Sequence, residues 1–276
     1  MGEVVRLDLA HTIRGRGRYW TTAYWVDGLL VDTGCAHSAP ELVSWVRDHP
    51  VTRVVNTHSH EDHFGGNAPL LAAWPGLPVL AHADALPFLE DPSLLGPLQW
   101  YRRQFWGLPG PSRGMPLREG DVVRTPNHTF HVIHTPGHTP DHICLHEPER
   151  GWLFSGDLYV GGKDRALRSV CDIWGIITSL RKVAALPVER LFPGSASVPP
   201  DARKALWDKV AYLEDLGRRV LAEHARGASV PTIARRLLGR PMRVELVTWG
   251  DFSRRWLVRS YLRQARPGAP SPRAGP

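Results

Sequence analysis

Residues 54–67 read Val-Val-Asn-Thr-His58-Ser-His60-Glu-Asp62-His63-Phe-Gly-Gly-Asn. An apolar run ends here in three histidines and an aspartate. His58 and His60 are two positions apart, so a backbone that stays extended puts both on one face. Asp62 and His63 then fall in the turn before a helix expected from about Gly65-Gly66 to Ala73. Imidazole and carboxylate ligands together suit zinc, iron or manganese. A lone histidine is usually structural; a cluster at the mouth of a strand is a metal-site pattern.

Two later segments have the same form, a strand that ends in a ligand-bearing loop. One runs from Phe130 through Pro136-Gly137-His138-Thr139-Pro140-Asp141-His142. The other is Trp152-Leu153-Phe154-Ser155-Gly156-Asp157. Gly137 and Gly156 precede the candidate ligands and let the chain turn sharply at a sheet edge.

The elements that must carry these loops are legible in the patterning. Residues 20–35 read as two strands joined at Asp27-Gly28, a hairpin dipeptide. A helix is expected over 40–49, opened by Pro40, and a buried strand over 51–56. Another strand is expected over 78–82. Short strands follow at 121–124, 129–134, 142–146 and 151–155, then a helix over 172–185 and a strand over 189–192. Two successive groups of alternating strands and helices predict an α/β sandwich, with helices outside two packed sheets. Residues 91–118 are framed by Pro and Gly and hold Trp100, Tyr101, Arg102, Arg103, Phe105 and Trp106. They read either as a lid or as a helix packing its aromatics on the core. Helices are expected over 201–226, 229–239 and 251–265. Residues 266–276 contain only Pro, Gly, Ala, Ser and Arg and are expected to be a disordered tail. The expected division is a catalytic domain over 1–200, a helical annex over 201–265 and that tail.

Composition narrows the class. The chain has 276 residues, 42% hydrophobic and 22% charged, with 11 Trp, which excludes disorder over its length. No apolar run reaches the roughly 18–20 residues of a membrane span. The first twenty residues show no apolar signal region, and the 3 Cys are too few for a disulfide framework. The expectation is a reduced, cytoplasmic protein. The net charge of +7 is read first as a solvated, Arg-rich face.

The ordered set His-x-His-x-Asp-His, Pro-Gly-His-Thr-Pro and Phe-Ser-Gly-Asp resembles the metallo-β-lactamase-fold hydrolase superfamily. The earlier Leu-Leu-Val-Asp32-Thr-Gly fits the same pattern, and the similarity spans about residues 18–196. The resemblance implies a four-layer αβ/βα sandwich with metals at one edge of the two sheets, and a winged-helix-like C-terminal annex. His58, His60 and His138 would hold a first metal. Asp62 and His63 would hold a second, and Asp157 would bridge them. Asp62 and His60 count as catalytic too. Asp32 would orient the ligand loops by hydrogen bonds, and His142 would be a hydrogen-bonded neighbour of the site.

One position departs from the family. Where the last ligand is normally a His after Pro-Gly, this chain has Pro193-Gly194-Ser195. Ser195 or water could complete the second site, the site could hold one metal, or His37 or His128 could move in. The favoured expectation is an intact first site and a weakened second.

The implied function is a hydrolase of a carboxylic ester, thioester or lactone, attacking with a metal-bound hydroxide. Its cofactor would be one or two zinc ions, with iron or manganese also fitting. Its partner would be a small-molecule substrate, with no membrane. Arg102, Arg103, Lys163 and Arg168 are candidates to meet a carboxylate or phosphate. Tyr159 does not sit at the offset of the acyl-homoserine lactonase tyrosine, and no glutathione-binding pattern follows Ser195. The alternatives are a mononuclear iron enzyme of the persulfide-dioxygenase type, a scaffold without activity, and a nucleic-acid-processing hydrolase. The last would use the basic C-terminal helices, where Ser229–Gly239 resembles part of a helix-turn-helix.

Overall fold

The computed structural model describes residues 3–263, so the expected tail lies outside the described residues. Strands β1 (Val5–Ile13) and β2 (Arg16–Val26) form a long antiparallel hairpin. Most of it precedes residue 20, where the sequence pattern announced no strand. β2 turns into β3 (Leu29–Val31) through Asp27 and Gly28, whose φ angles are 49° and 83°. Positive φ at both central positions is the tight turn whose twist matches paired strands, as Asp-Gly predicts.

From β3 the sheet continues in parallel through β4 (Arg53–Val55), β5 (Val79–His82) and β6 (Met115–Leu117). Its connections carry helices α1 (Ala39–Asp48), α2 (Glu61–Phe64), α3 (Asn67–Ala73), α4 (Leu86–Glu90) and α5 (Trp100–Phe105). The second sheet has the order β12-β10-β9-β8-β7. Its strands are β7 (Val122–Arg124), β8 (Thr129–His134), β9 (Ile143–Glu147), β10 (Trp152–Gly156) and β12 (Arg190–Pro193). Helix α6 (Ile173–Ala184) connects β10 to the parallel β12. Then come α7 (Ala202–Ala225), α8 (Val230–Leu238), α9 (Arg243–Val247) and α10 (Arg254–Arg263).

Strand alternation builds the layers, because successive side chains point to opposite faces. In β4, Val55 joins a core shared with Phe130, Val132 and Leu145 of the second sheet. Its neighbour Val54 packs instead with Leu42, Val46 and Leu70 of the helices outside the first sheet. In β8, Val132 faces the first sheet while Ile133 faces α6 and α7, beside Ile176, Leu180 and Leu206. The result is helices, sheet, sheet, helices, the αβ/βα sandwich. The C-terminal helices share the outer core, through Ile233 of α8 and Leu257 and Tyr261 of α10. A two-stranded ribbon, β11 (Leu167–Arg168) with β13 (Phe252–Ser253), also joins this region to the loop after β10.

The excursion 91–118 is a docked segment whose aromatic helix is partly inserted. Tyr101 and Arg102 of α5 are buried, and the Arg102 guanidinium pairs with the carboxylate of Glu61 in α2. Arg102 is therefore committed to Glu61 and is not a substrate partner, correcting that expectation. The helix expected from about Gly65-Gly66 to Ala73 is α3, which begins at Asn67, and a separate short helix, α2, precedes it. Asp62 and His63 lie within α2 rather than in a turn before α3, and the strand ends at Val55.

Candidate metal centre

The site lies where β4, the loop after β8 and the loop after β10 end together. β3 leads into it through Asp32, which is 1% exposed and adopts a left-handed φ of 61°. That is a conformation a short polar side chain tolerates better than most. The turn aims the carboxylate at the next loop. Oδ1 accepts from the Thr57 backbone N–H at 2.7 Å, and Oδ2 accepts from the Thr57 hydroxyl at 2.8 Å. Oδ2 also accepts from His63 Nδ1 at 2.8 Å.

These bonds assign the ring tautomers. The Thr57 hydroxyl has given its proton to Asp32, so at 3.0 Å it accepts from His58 Nδ1. His58 Nε2 is left with its lone pair. His63 donates through Nδ1, which leaves its Nε2 turned towards the centre. That atom is buried with no hydrogen-bond partner.

Three ring nitrogens converge. His60 Nδ1 lies 3.0 Å from His58 Nε2 and 3.0 Å from His138 Nε2. Tetrahedral ligands at zinc–nitrogen distances of about 2.0–2.1 Å sit about 3.3 Å apart, so this spacing suits a shared cation. On the other side, His63 Nε2 is 3.5 Å from Asp157 Oδ1 and 3.9 Å from Asp62 Oδ2. Asp157 Oδ2 is 3.6 Å from His138 Nε2, so its two oxygens face the two nitrogen groups. His58, His60 and His138 could hold one ion, and His58, His63 and Asp157 are grouped closely enough for another. An orphaned buried nitrogen and a converging nitrogen trio with carboxylates alongside fit a metal centre.

Burial and charge set the protonation. Burial, reinforced by the neighbouring imidazoles, holds His58 and His60 well below the usual histidine range. Burial likewise brings His138 down to about 4, although Asp157 opposes it. His63 is pushed up: burial works against its charge, but Asp157, Asp32 and Asp62 outweigh it. Asp157 is lowered against its burial, chiefly by His63 and His138. Burial raises Asp62 to about 6, with Glu61 and Asp157 adding to the effect and His63 opposing it. The trio is neutral and ready to donate; the other side is an anionic pair facing a basic ring.

Sharp turns bring the ligands this close. At Gly156 φ is 45°, and a Cβ there would stand 2.7 Å from both His142 Nε2 and Thr57 Oγ1. At Gly137 φ is 137°, and a Cβ would meet the Ile176 backbone N at 2.3 Å. Neither position has room for a side chain.

His142 borders the site as a backbone anchor. Its Nε2 accepts from the Asp157 N–H at 3.1 Å, and its Nδ1 donates to the Thr135 hydroxyl at 2.8 Å. Both nitrogens are used, leaving none for a metal. Ser195 donates to Asp157 Oδ1 at 2.7 Å. His37 and His128 do not move in. His37 stacks on His11 and bonds the Arg103 carbonyl, while His128 packs against Trp152.

Two partners, Asp141 and Thr21, had no sequence signal. Asp141 Oδ2 holds the Ser59 N–H at 2.8 Å, and the Thr21 hydroxyl reaches Asp62 Oδ2 at 3.4 Å. Arg168 Nη1 lies 3.2 Å from His60 Nε2, while its Nε donates to Asp251 Oδ2 at 3.2 Å. Of the basic candidates, Arg168 is thus the one at the centre. Lys163 lies over the Tyr212 ring, and Arg103 is exposed.

Known proteins share this arrangement. The profile of the metallo-beta-lactamase superfamily matches residues 21–195. A hydroxyacylglutathione hydrolase of Maricaulis maris is 33% identical over 188 residues, covering 66% of this chain and 64% of that one. The chain spans between 46% and 64% of the length of three curated relatives it matches, two of them hydroxyacylglutathione hydrolases. A beta-lactamase domain protein from Burkholderia ambifaria superposes with a TM-score of 0.68 over 96% of this chain and 88% of its own, at 19% identity. The protein TTHA1623, solved in a di-iron-bound form, is 31% identical over 69% of this chain and 94% of its own, with a TM-score of 0.54. No helix among the described residues is long and apolar enough to cross a membrane. The profile match covers more than half of the chain, and the sandwich carries its ligand loops in the family's order: the chain belongs to the metallo-beta-lactamase superfamily.

Proposed function

We propose that this chain is a metal-dependent hydrolase acting on thioesters, with carboxylic esters and lactones as related substrates. The observation that carries the reading is the meeting of His58 Nε2, His60 Nδ1 and His138 Nε2 beside the orphaned His63 Nε2. The Maricaulis relative, a hydroxyacylglutathione hydrolase, supports a thioester as the bond attacked.

In this reading His58, His60 and His138 would hold one metal, Asp62 and His63 would hold a second, and Asp157 would be a ligand shared by both sides. Bound ions there supply Lewis acidity and lower the pKa of water towards about 7. The chain does the positioning. Asp32 keeps the proton of His63 on Nδ1, so that Nε2 faces the centre. His142 fixes the backbone at Asp157. Asp62, with its pKa pushed up to about 6, is the carboxylate suited to accept a proton near neutrality. The first metal is held tightly and the second weakly, because the Ser195 hydroxyl replaces an imidazole donor and is already bonded to Asp157.

The test is metal content by mass spectrometry on protein purified without added metal, followed by a thioester, ester and lactone screen. Hydrolysis that is lost in His60→Ala is expected. Full activity in that variant would refute the mechanism. A single bound iron with no hydrolysis of any of the three classes would overturn the hydrolase reading in favour of sulfur oxidation.

A further inference from the structure

Each imidazole at the centre has a second nitrogen, and the group facing that nitrogen decides which of the two keeps the proton. A neutral histidine holds a metal only through the nitrogen that carries no hydrogen. Ligating histidines almost always give their other N–H to a carboxylate, a carbonyl or water. His63 and His58 follow that rule. His63 Nδ1 donates to Asp32 at 2.8 Å. His58 Nδ1 donates to the Thr57 hydroxyl, which donates in turn to Asp32.

His60 departs from it. Its Nδ1 joins the meeting point, so its outer nitrogen is Nε2, and that atom faces Arg168 Nη1 at 3.2 Å. A guanidinium has donors and no acceptor, and it stays charged. Where Nε2 accepts from Arg168, the ring proton lies on Nδ1, 3.0 Å from the His58 Nε2 lone pair that accepts it. Both nitrogens of His60 are then satisfied, and Nδ1 cannot ligate. Where Nδ1 is bare and able to ligate, the proton lies on Nε2, and two N–H groups oppose each other at the Arg168 contact.

The guanidinium is not free to step aside. Arg168 lies in β11, paired with Phe252 of β13, and is 8% exposed. Its Nε donates to Asp251 Oδ2 at 3.2 Å, and its Cζ stands 5.9 Å from the centre of the Phe252 ring. The Tyr101 hydroxyl donates to the same Asp251 oxygen at 2.5 Å and steadies the tether.

We propose that Arg168 is a positioning residue that acts through His60: it favours the ring tautomer that cannot ligate, and so holds the metal affinity of the trio below what its three imidazoles would otherwise give. The inference rests on the metal-centre reading above. A ligand that donates less charge leaves a bound ion the stronger Lewis acid, so weaker retention goes with greater polarising power. The C-terminal region thereby acquires a part in the centre, since Asp251 and Phe252 hold Arg168 in place.

The experiment uses the full chain and measures zinc affinity by competition with a coloured chelator, in the wild type and in three variants. Arg168→Gln offers an amide oxygen that can accept the Nε2 proton, and is expected to bind zinc about tenfold more tightly. Arg168→Met removes the donors and the charge without adding an acceptor, and should tighten binding less. Arg168→Lys keeps a charged group that only donates, and should stay close to the wild type. Equal or weaker binding in both Arg168→Gln and Arg168→Met would overturn the inference, because Arg168 would then be neutral or supportive. Nitrogen NMR of the chelator-treated wild type tests the tautomer with no variant involved. The His60 proton is expected on Nδ1, and a proton on Nε2 would overturn the inference. Zinc retained by neither the wild type nor any variant would overturn the metal-centre reading and this inference with it. Tighter zinc in Arg168→Gln, with no thioester, ester or lactone hydrolysed, would sustain the inference and overturn the hydrolase reading alone.

Discussion

Ser195 Oγ donates a hydrogen bond of 2.7 Å to Asp157 Oδ1, the carboxylate oxygen that faces His63. A position that could supply an imidazole nitrogen supplies a hydroxyl, and the hydroxyl draws on a lone pair that a second metal would need. Ser195→His is therefore expected to raise retained metal from about one to about two ions per chain, since a tight site needs about three protein donors. Metal analysis after exhaustive dialysis checks this. Two tightly retained ions in the wild type, unchanged in Ser195→Ala, would sink the weakened-site reading.

Asp32 touches no metal in this scheme, yet it fixes both His63 and Thr57. Asp32→Asn replaces an acceptor oxygen with a donor, so one of these partners loses its bond. A loss of about 10–100-fold in metal affinity is expected, typical for residues that orient ligands. Competition with a coloured chelator measures it, and wild-type affinity in the variant would argue that the loops hold themselves.

Glu61 is fully buried and Arg102 is 5% exposed, so each is the other's charge partner away from water. Arg102→Met leaves an uncompensated carboxylate and is expected to cost about 3–5 kcal/mol. The double variant Glu61→Gln with Arg102→Met should recover much of that, because neither charge remains. Urea unfolding of the metal-loaded proteins gives both numbers; equal losses in the single and double variants would contradict the pairing.

The two sides of the centre should release metal at different pH. The His138 pKa is lowered to about 4, so this ligand stays neutral and able to donate until the pH falls to that value. The Asp62 pKa is raised to about 6, so a proton competes for its carboxylate at a higher pH. His63 on the same side is also pushed up, so protons compete there at still higher pH, and acidification should empty the Asp62–His63 side first and the histidine trio later. Metal content after equilibration at stepped pH values tests this. Simultaneous release of both ions would show that the sites do not titrate separately.

Much of the fold and of the candidate ligand set was legible without coordinates. His58, His60, Asp62 and His63 lie within one short stretch, and His138 and Asp157 each follow a strand and a glycine, so local backbone geometry presents them. The two sheets were readable from alternation, as Val54 and Val55 show by packing in different cores. The hairpin turn at Asp27-Gly28 was readable because few residues accept positive φ. Residues 5–19 gave no comparable signal: β1 is half-exposed, and its apolar alternation is broken by charge and by a register shift between Leu9 and His11.

What only the tertiary structure decided are contacts between residues distant in the chain. Glu61 and Arg102 are 41 positions apart, Arg168 and Asp251 are 83 apart, and Tyr101 and Asp251 are 150 apart. Ser195 reaches Asp157 across 38 positions. Short-range patterns of hydrophobicity and turn chemistry are dictated by the bonds between neighbouring residues, so sequence alone determines them. A buried charge takes whichever partner the packing of several elements delivers, and a histidine shows whichever nitrogen its hydrogen bonds leave bare. Those outcomes depend on the whole sandwich closing, which is why the sequence by itself named the candidate ligands and the three-dimensional packing chose their partners.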